Sequence, residues 1–108
     1  MLHELRIYRC MPGRLPDLHK RFETITLPIW RKHGIRQVGF WTVYIGESNH
    51  DLYYLLEWES LAEREQKWHA FAHDPEWISA RAETERNGPL VQTVSNQILV
   101  PTPYSAIR

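Results

Sequence analysis

The sequence predicts an α+β fold of the ferredoxin-like βαββαβ type, in which helices cover one face of a four-stranded antiparallel sheet. Three observations carry this prediction. Residues 37–46 are rich in the aromatic and β-branched residues that strands favour. Ser60 and Glu63 match the capping box that begins a helix. Asp74 and Pro75 then give a second helix start a few residues later.

The first strand and the first helix follow from residue spacing. Side chains of unlike character alternate over residues 3–10, so residues 4, 6, 8 and 10 share one strand face. Apolar residues at 15, 18, 22, 25 and 29 recur every three or four positions and predict a helix that ends at Gly34. Pro28 lies within this helix and lacks the amide hydrogen that the helix needs, so we expect a kink over residues 24–28.

The other three strands and the last two helices are also predicted from local sequence signals. Strands are predicted over residues 36–45 and 52–59, joined by a polar loop, and the capping box begins a helix over residues 61–72. The helix that begins at Pro75 ends at Asn87 and Gly88, and a last strand spans residues 90–100. We assign residues 1–103 to one domain and residues 104–108 to a C-terminal tail.

Composition narrows the classes of partner and compartment. The chain has 108 residues, enough for one domain, and its 13 basic and 13 acidic side chains cancel. This balance disfavours nucleic acid and anionic membranes as partners. A single cysteine excludes an intrachain disulfide, and no apolar run approaches the length of a membrane span. We therefore expect a cytoplasmic protein with no nucleic-acid or membrane partner.

Helices on one face leave the other face of the sheet uncovered. Tryptophan and tyrosine on the strands would make this face an apolar patch larger than soluble monomers usually expose. A second copy of the chain is the simplest cover for it. The sequence thus predicts a homodimer formed through the open sheet face.

Seven segments of the chain resemble the NIPSNAP family, and together they extend over nearly its whole length. They are Glu4-Leu-Arg-Ile-Tyr8, Leu27-Pro28 before Lys32-His33-Gly34, Val38-Gly-Phe-Trp-Thr42, Ile45-Gly46-Glu47, Ser60-Leu-Ala-Glu-Arg64, Asp74-Pro-Glu-Trp77 and Ile98-Leu-Val-Pro101. The resemblance implies a ferredoxin-like domain that forms a dimeric α/β barrel, with two sheets face to face. It implies no settled reaction. The chain departs from the family at Tyr54-Leu-Leu56, where members often carry His-Leu-Trp.

Aromatic side chains are the candidate walls of a ligand pocket. A flat apolar molecule would fit between Trp30 and Trp68 on the helices and Trp41 and Tyr54 on the strands, where Pro28 separates helix from sheet. Packing in the core or at the dimer interface is the alternative for each of them.

Arg6 and Tyr8 are further candidate ligand-binding residues on the first strand. They share one strand face with Glu4, and a guanidinium held by carboxylates could orient an acidic substrate. Glu57 and Glu59 are possible neighbours on the third strand. An ion-pair network at the dimer interface is the alternative.

Two histidines are the candidate catalytic residues. His33 and His69 could transfer protons near neutral pH, although His33 could instead cap the first helix. His69 and His73 are one helical turn apart, as in some metal sites, but no third ligand is marked, so we expect no metal. We expect no cofactor either.

The function that these features favour is the binding of a small apolar or aromatic molecule between helices and sheet. A cofactor-independent monooxygenase-like enzyme on the same barrel, a haem binder with a histidine ligand, and a protein-interaction module stay open as alternatives. Serine elbows, phosphate-binding glycine loops and dinucleotide fingerprints do not occur in the sequence.

Overall fold

A computed structural model describes the whole chain, residues 1–108. It confirms the ferredoxin-like prediction: the four strands form one antiparallel sheet in the order β2-β3-β1-β4. The strands are β1 (Leu2–Cys10), β2 (Arg36–Thr42), β3 (Asp51–Trp58) and β4 (Val91–Leu99). The helices are α1 (Leu15–Arg21), α2 (Leu27–His33), α3 (Leu61–Ala72) and α4 (Pro75–Thr84), and a π-helical segment, Phe22–Thr26, joins α1 to α2.

The two faces of the sheet differ as the alternation in β1 predicts. Arg6 is paired with Tyr54 and Tyr8 with Leu52, and residues opposite each other in a ladder share a face. On this face β3 contributes Leu52, Tyr54 and Leu56, all with at most 2% exposure. The core therefore lies between this face and the helices. Ring contacts with Phe22 and Trp30, at centroid distances of 5.5 and 5.6 Å, anchor the helices to Tyr54.

The disturbance predicted in the first helix is a π-helical turn. The amide of Leu27 donates to the carbonyl of Phe22, five residues back, instead of four. Pro28 is the physical reason, because it has no amide hydrogen to give to the Thr24 carbonyl and its ring crowds that position. The wider turn changes which side chains face the sheet, and π-helical turns of this kind are frequent at functional sites.

Helix starts follow the capping predictions with one difference. The Ser60 hydroxyl accepts a hydrogen bond from the Glu63 amide at 3.1 Å, while the Glu63 carboxylate accepts from the amide of Glu59 and not of Ser60. Asp74 caps α4 by accepting from the Glu76 amide at 2.9 Å. None of the helices combines the length and the apolar character that crossing a membrane requires.

Several element boundaries differ from the prediction. The second strand ends at Thr42 and not at residue 45, since Thr42 opposite Leu52 is the last pair of its ladder. Tyr44 and Ile45 beyond it are 96% and 89% exposed. Their apolar character suggested a strand, but the chain has left the sheet at that point. α4 likewise ends at Thr84, three residues before the predicted stop at Asn87.

Candidate functional site

A cleft of about 330 Å³ opens between the helices and the β1–β4 side of the sheet. This volume falls within the range of about 300–1,000 Å³ that small-molecule sites occupy. Residues of β4 form one rim. Six aromatic side chains are among the residues that line it: Tyr8, Phe22, Trp30, Trp68, Phe71 and Trp77. Such walls suit a flat, largely apolar molecule.

Arg6 lies at the floor of the cleft, and each of its three guanidinium nitrogens donates to a neighbouring side chain. Its Nε donates to the Tyr54 hydroxyl at 2.7 Å, and its Nη1 donates to the Glu4 carboxylate at 3.0 Å. Its guanidinium also lies 4.4 Å from the ring centroid of Trp68, a cation–π distance. Burial alone would lower the pKa of Arg6, but the Tyr54, Tyr8 and Glu4 oxygens raise it overall. Arg6 is therefore a fixed positive charge.

Glu4 holds this floor in place from within the core. It is completely buried, and it accepts hydrogen bonds from Arg64, Arg6, Asn96 and the indole of Trp58. Burial would raise the pKa of Glu4, but the hydrogen bonds from Arg64, Asn96 and Arg6 outweigh it and lower the pKa to about 2. The carboxylate is thus ionised across the physiological pH range.

The Tyr8 hydroxyl ends a hydrogen-bond chain at the cleft wall. It accepts from the Tyr54 hydroxyl at 2.8 Å and from Arg6 Nη2 at 3.4 Å. A tyrosine oxygen has two lone pairs and one hydrogen, so the hydrogen of Tyr8 is the group left to donate. Tyr54 is fully buried, which raises its pKa and keeps it protonated. Tyr8 can therefore donate a hydrogen bond to an oxygen atom of a molecule in the cleft.

Three buried donors along the helical wall have no partner in the chain. They are Arg21 Nε, the Thr26 hydroxyl and the Trp30 indole nitrogen, and all three residues line the cleft. An unpaired buried polar group costs about 1–3 kcal/mol. Three such groups beside one cleft indicate a place where a bound molecule would supply the missing acceptors.

Arg21 is the least compensated charge of the cleft. Only 7% of its side chain is exposed, and its nearest carboxylate, Glu85, is 3.8 Å from Nη1. Glu85 is more closely paired with Arg81, at 2.9 Å. The Arg21 guanidinium also lies 5.4 Å from the Trp77 ring centroid. Burial is the main cause that lowers the pKa of Arg21.

Most of the predicted ligand-binding residues meet at this cleft. Arg6, Tyr8, Trp30 and Trp68 line it, and Tyr54 lies beneath it in contact with Arg6 and Tyr8. Trp41 is not part of the cleft. It is paired with Tyr53 on the opposite face of the sheet, and its indole lies over Gly39, where an added methyl group would contact the ring at 3.0 Å.

Arg6 has other neighbours than the predicted Glu57 and Glu59. The Glu57 side chain pairs with Arg36 Nε at 3.2 Å, and that of Glu59 lies 3.7 Å from Arg36 Nη2. Glu57 is opposite His3 in the ladder and so belongs to the open face. Arg6 faces the helices, so its ion pairs with Glu4 lie within the domain and away from the open face.

The predicted catalytic histidines lie outside the cleft. His33 Nε2 is 2.7 Å from Asp74 Oδ2, in a contact that joins the end of α2 to the start of α4. His69 is exposed, and its ring stacks on that of His73 at a centroid distance of 4.1 Å. None of the three lines the cleft, so none is placed to ligate a haem or to transfer a proton there. No group of three or more His, Cys, Asp or Glu side chains is placed to hold a metal ion.

Sequence reasoning did not single out several residues that line the cleft, among them Arg21, Thr26 and Phe71. Arg21 follows Leu18 by three positions and Thr26 precedes Trp30 by four, so each lies near the apolar stripe. With an ordinary α-helical period, however, residues 21 and 26 fall on different sides of the helix. Pro28 was the signal in the sequence that could have found them. A wider helical turn before this proline brings residues that are five positions apart to the same side of the helix.

Comparison with known proteins identifies the family. The NIPSNAP family profile matches residues 3–106. No curated protein matches the chain. Among solved structures, the Agrobacterium tumefaciens protein Atu4242, a NIPSNAP family protein with unknown function, is 27% identical, with a TM-score of 0.87 over 100% of this chain and 94% of that one.

Two further structures share the fold. An uncharacterised NIPSNAP-like domain protein from Burkholderia xenovorans is 27% identical, with a TM-score of 0.85 over 96% of this chain and 87% of the other. A variant of MhuD, solved with two manganese protoporphyrin IX molecules per active site, is 18% identical, with a TM-score of 0.61 over 98% of this chain and 99% of that one. The latter likeness concerns the fold alone. With the family profile spanning nearly the full length, the chain belongs to the NIPSNAP family.

Proposed function

We propose that this chain is a cytoplasmic homodimer that binds a small apolar or aromatic molecule in the cleft between its helices and sheet. The observation that carries the proposal is the combination of aromatic walls with buried donors that lack partners. Trp30 illustrates it: its side chain is 1% exposed, it lines the cleft, and its indole nitrogen has no acceptor. Buried polar groups usually have a partner, so an unsatisfied one calls for an explanation, and for Trp30 we propose an acceptor on a bound molecule.

The geometry favours binding over the alternative roles. A fully packed interior would have supported only an interaction role, whereas this domain has a cleft large enough for a small molecule. The enzyme alternative relied on His33 and His69, which lie outside the cleft. The haem alternative relied on the same histidines and on His73.

The homodimer is proposed from the open face of the sheet. Leu5, Ile7 and Leu55 lie at its centre, half-buried and without a helix above them, and Trp41 beside them is 52% exposed. A second copy packed on this face would bury these side chains, at about 25 cal/mol for each Å² of apolar surface removed from water. The ligand cleft lies on the other face, so dimer formation leaves it free.

The binding proposal can be tested with N-phenyl-1-naphthylamine, a neutral aromatic dye that becomes fluorescent in apolar sites. We expect saturable binding by the unchanged protein. The variant Ala72→Phe places a ring at the cleft, which Ala72 lines, and should weaken binding at least tenfold. Ala70→Phe is the matched control, since Ala70 is exposed on the same helix and does not line the cleft.

Two results would contradict the proposal. One is the absence of saturable dye binding by the folded, unchanged protein. The other is equal weakening by Ala70→Phe and Ala72→Phe, which would place the dye elsewhere on the surface.

A further inference from the structure

We infer that the molecule bound in the cleft is an acid, whose anionic oxygen group contacts Arg21 while its apolar body lies between the aromatic walls. This inference rests on the proposed binding function and adds the chemical class of the ligand. It also assigns to Arg21 the role of selecting an anion over a neutral molecule of the same shape.

Arg21 is a buried cation with few hydrogen-bond acceptors around it. Its side chain is more than nine-tenths buried, its Nε has no acceptor, and the closest carboxylate is 3.8 Å away. Its one hydrogen bond to a side chain runs from Nη1 to the Thr84 hydroxyl, a neutral acceptor, at 3.3 Å. A buried charge with so little compensation is costly, and a carboxylate is the group whose geometry matches a guanidinium.

Two further buried polar groups without a partner, those of Thr26 and Trp30, lie on the same helical wall as Arg21. Thr26 follows Arg21 by five residues through the π-helical segment, and Trp30 follows Thr26 by one α-helical turn. The wide turn brings residues five apart to one side of the helix, so the three residues line one wall of the cleft. Guanidinium and indole nitrogens can only donate. A ligand atom that meets either nitrogen must therefore accept a hydrogen bond, which an ammonium group cannot do.

The side chains that line the cleft carry more positive than negative charge. Three arginines line the cleft, Arg6, Arg21 and Arg81, but the only carboxylate among the lining residues is Glu85. Arg6 lies 3.0 Å from the Glu4 carboxylate, which it shares with Arg64, and Arg81 lies 2.9 Å from that of Glu85, whereas Arg21 has no carboxylate within hydrogen-bond distance. Arg21 is left as the cation with unused capacity, so an added negative charge is attracted to its side of the cleft.

The test compares two molecules of nearly the same shape, 2-naphthoate and 2-naphthamide, by isothermal titration calorimetry at pH 7. The acid is ionised at this pH because carboxylic acids titrate near pH 4. We expect the unchanged protein to bind 2-naphthoate about ten- to hundredfold more tightly than 2-naphthamide, the range for a hydrogen bond to a charged group. In Arg21→Met the two molecules should bind with equal affinity.

Arg31→Met is the matched control, because Arg31 is exposed on α2 and does not line the cleft. It removes the same charge from the protein and should leave the preference for the acid unchanged. The comparison of acid with amide in the unchanged protein requires no variant, so it decides the inference even if Arg21→Met does not fold.

The outcomes separate this inference from the function on which it rests. Equal affinity for the two molecules in the unchanged protein, or a preference that persists in folded Arg21→Met, would overturn the role of Arg21. Binding of N-phenyl-1-naphthylamine in the same preparation would then still support the apolar cleft. Failure of the dye to bind would overturn the proposed function and, with it, the inference.

Discussion

Arg64 and Glu4 join helix α3 to the centre of the sheet through two parallel hydrogen bonds, from Nε to Oε1 at 2.7 Å and from Nη2 to Oε2 at 3.1 Å. This pair also sets one wall of the cleft. Trp68 lies one helical turn after Arg64, and its ring contacts the guanidinium of Arg6, which the same Glu4 carboxylate holds. A partly buried ion pair thus positions Trp68, which lines the cleft.

Glu4→Gln should destabilise the protein by about 3 kcal/mol or more, since it leaves Arg6 and Arg64 without their shared carboxylate in a buried site. Urea unfolding at pH 7 measures the loss. Glu23→Gln is the control, because Glu23 is exposed and has no ion pair. Equal free energies of unfolding for the two variants would show that the Glu4 cluster contributes nothing to stability.

Acid should weaken the protein through the same carboxylate. The pKa of Glu4 falls from its ordinary 4.5 to about 2 on folding. Above pH 4.5 its stabilising contribution is fully present. As the pH falls from there towards 2, the unfolded chain binds a proton that the folded chain does not, and about 3 kcal/mol is lost.

The pH experiment compares the unchanged protein with Glu4→Gln by urea unfolding between pH 5 and pH 2. The variant should lose less stability over this interval. Some loss should remain, because hydrogen bonds from Lys32 and His33 also lower the pKa of Asp74. Parallel curves for the two proteins would be inconsistent with a depressed pKa at Glu4.

Arg6 and Arg21 should respond in opposite ways to replacement by methionine. Arg6→Met removes a partner of the buried Glu4 carboxylate and should cost about 3 kcal/mol. Arg21→Met removes a poorly paired buried charge and replaces it with an apolar chain of similar length. The free energy of unfolding should then stay within about 1 kcal/mol of the unchanged protein or rise. Calorimetric unfolding of both variants checks this contrast, and a large loss in Arg21→Met would mean that the ligand-free protein already satisfies this side chain.

The open face of the sheet should control association. Leu55 lies at its centre, opposite Leu5 on one side and Gly39 on the other. Leu55→Lys places a charge in the proposed dimer interface and should shift the protein to monomers in sedimentation experiments at micromolar concentration. Ile78→Lys, an equivalent change at a 53% exposed position on α4, should leave the dimer intact. Stable monomers of the unchanged protein at this concentration would refute the homodimer.

The fold could be predicted because local signals agree with one another. The alternation in β1, the Ser60 cap and the Asp74-Pro75 start each specify an element through short-range chemistry, and together they fix the topology. The end of the second strand at Thr42 was harder to predict, because Val43, Tyr44 and Ile45 are as apolar as strand residues. A ladder ends where its partner strand ends, and this depends on contacts distant in sequence.

The site could be predicted only in part. Strand alternation places Arg6 and Tyr8 on one face of β1 but does not say which face the helices cover. Trp30 was a candidate as an aromatic residue of the first predicted helix, next to the stripe that ends at Ile29. Arg21 and Thr26 could not be found from an α-helical period, since their approach to the cleft depends on the π-helical turn. Contacts between residues distant in sequence, such as that of His33 with Asp74, decide which histidines can act in a site. Local sequence patterns do not predict such contacts.

The most direct measurement of the central claim follows the five tryptophan indole N–H signals by NMR while 2-naphthoate is added. Trp30, Trp68 and Trp77 line the cleft, Trp41 lies on the opposite face, and the indole of Trp58 is bonded to Glu4. We expect saturable shifts at the three tryptophans of the cleft, largest at Trp30, whose indole gains an acceptor, and no shift at Trp41. A shift at Trp41 alone, or no saturable shift at any of the five, would contradict the claim that this cleft binds such a molecule.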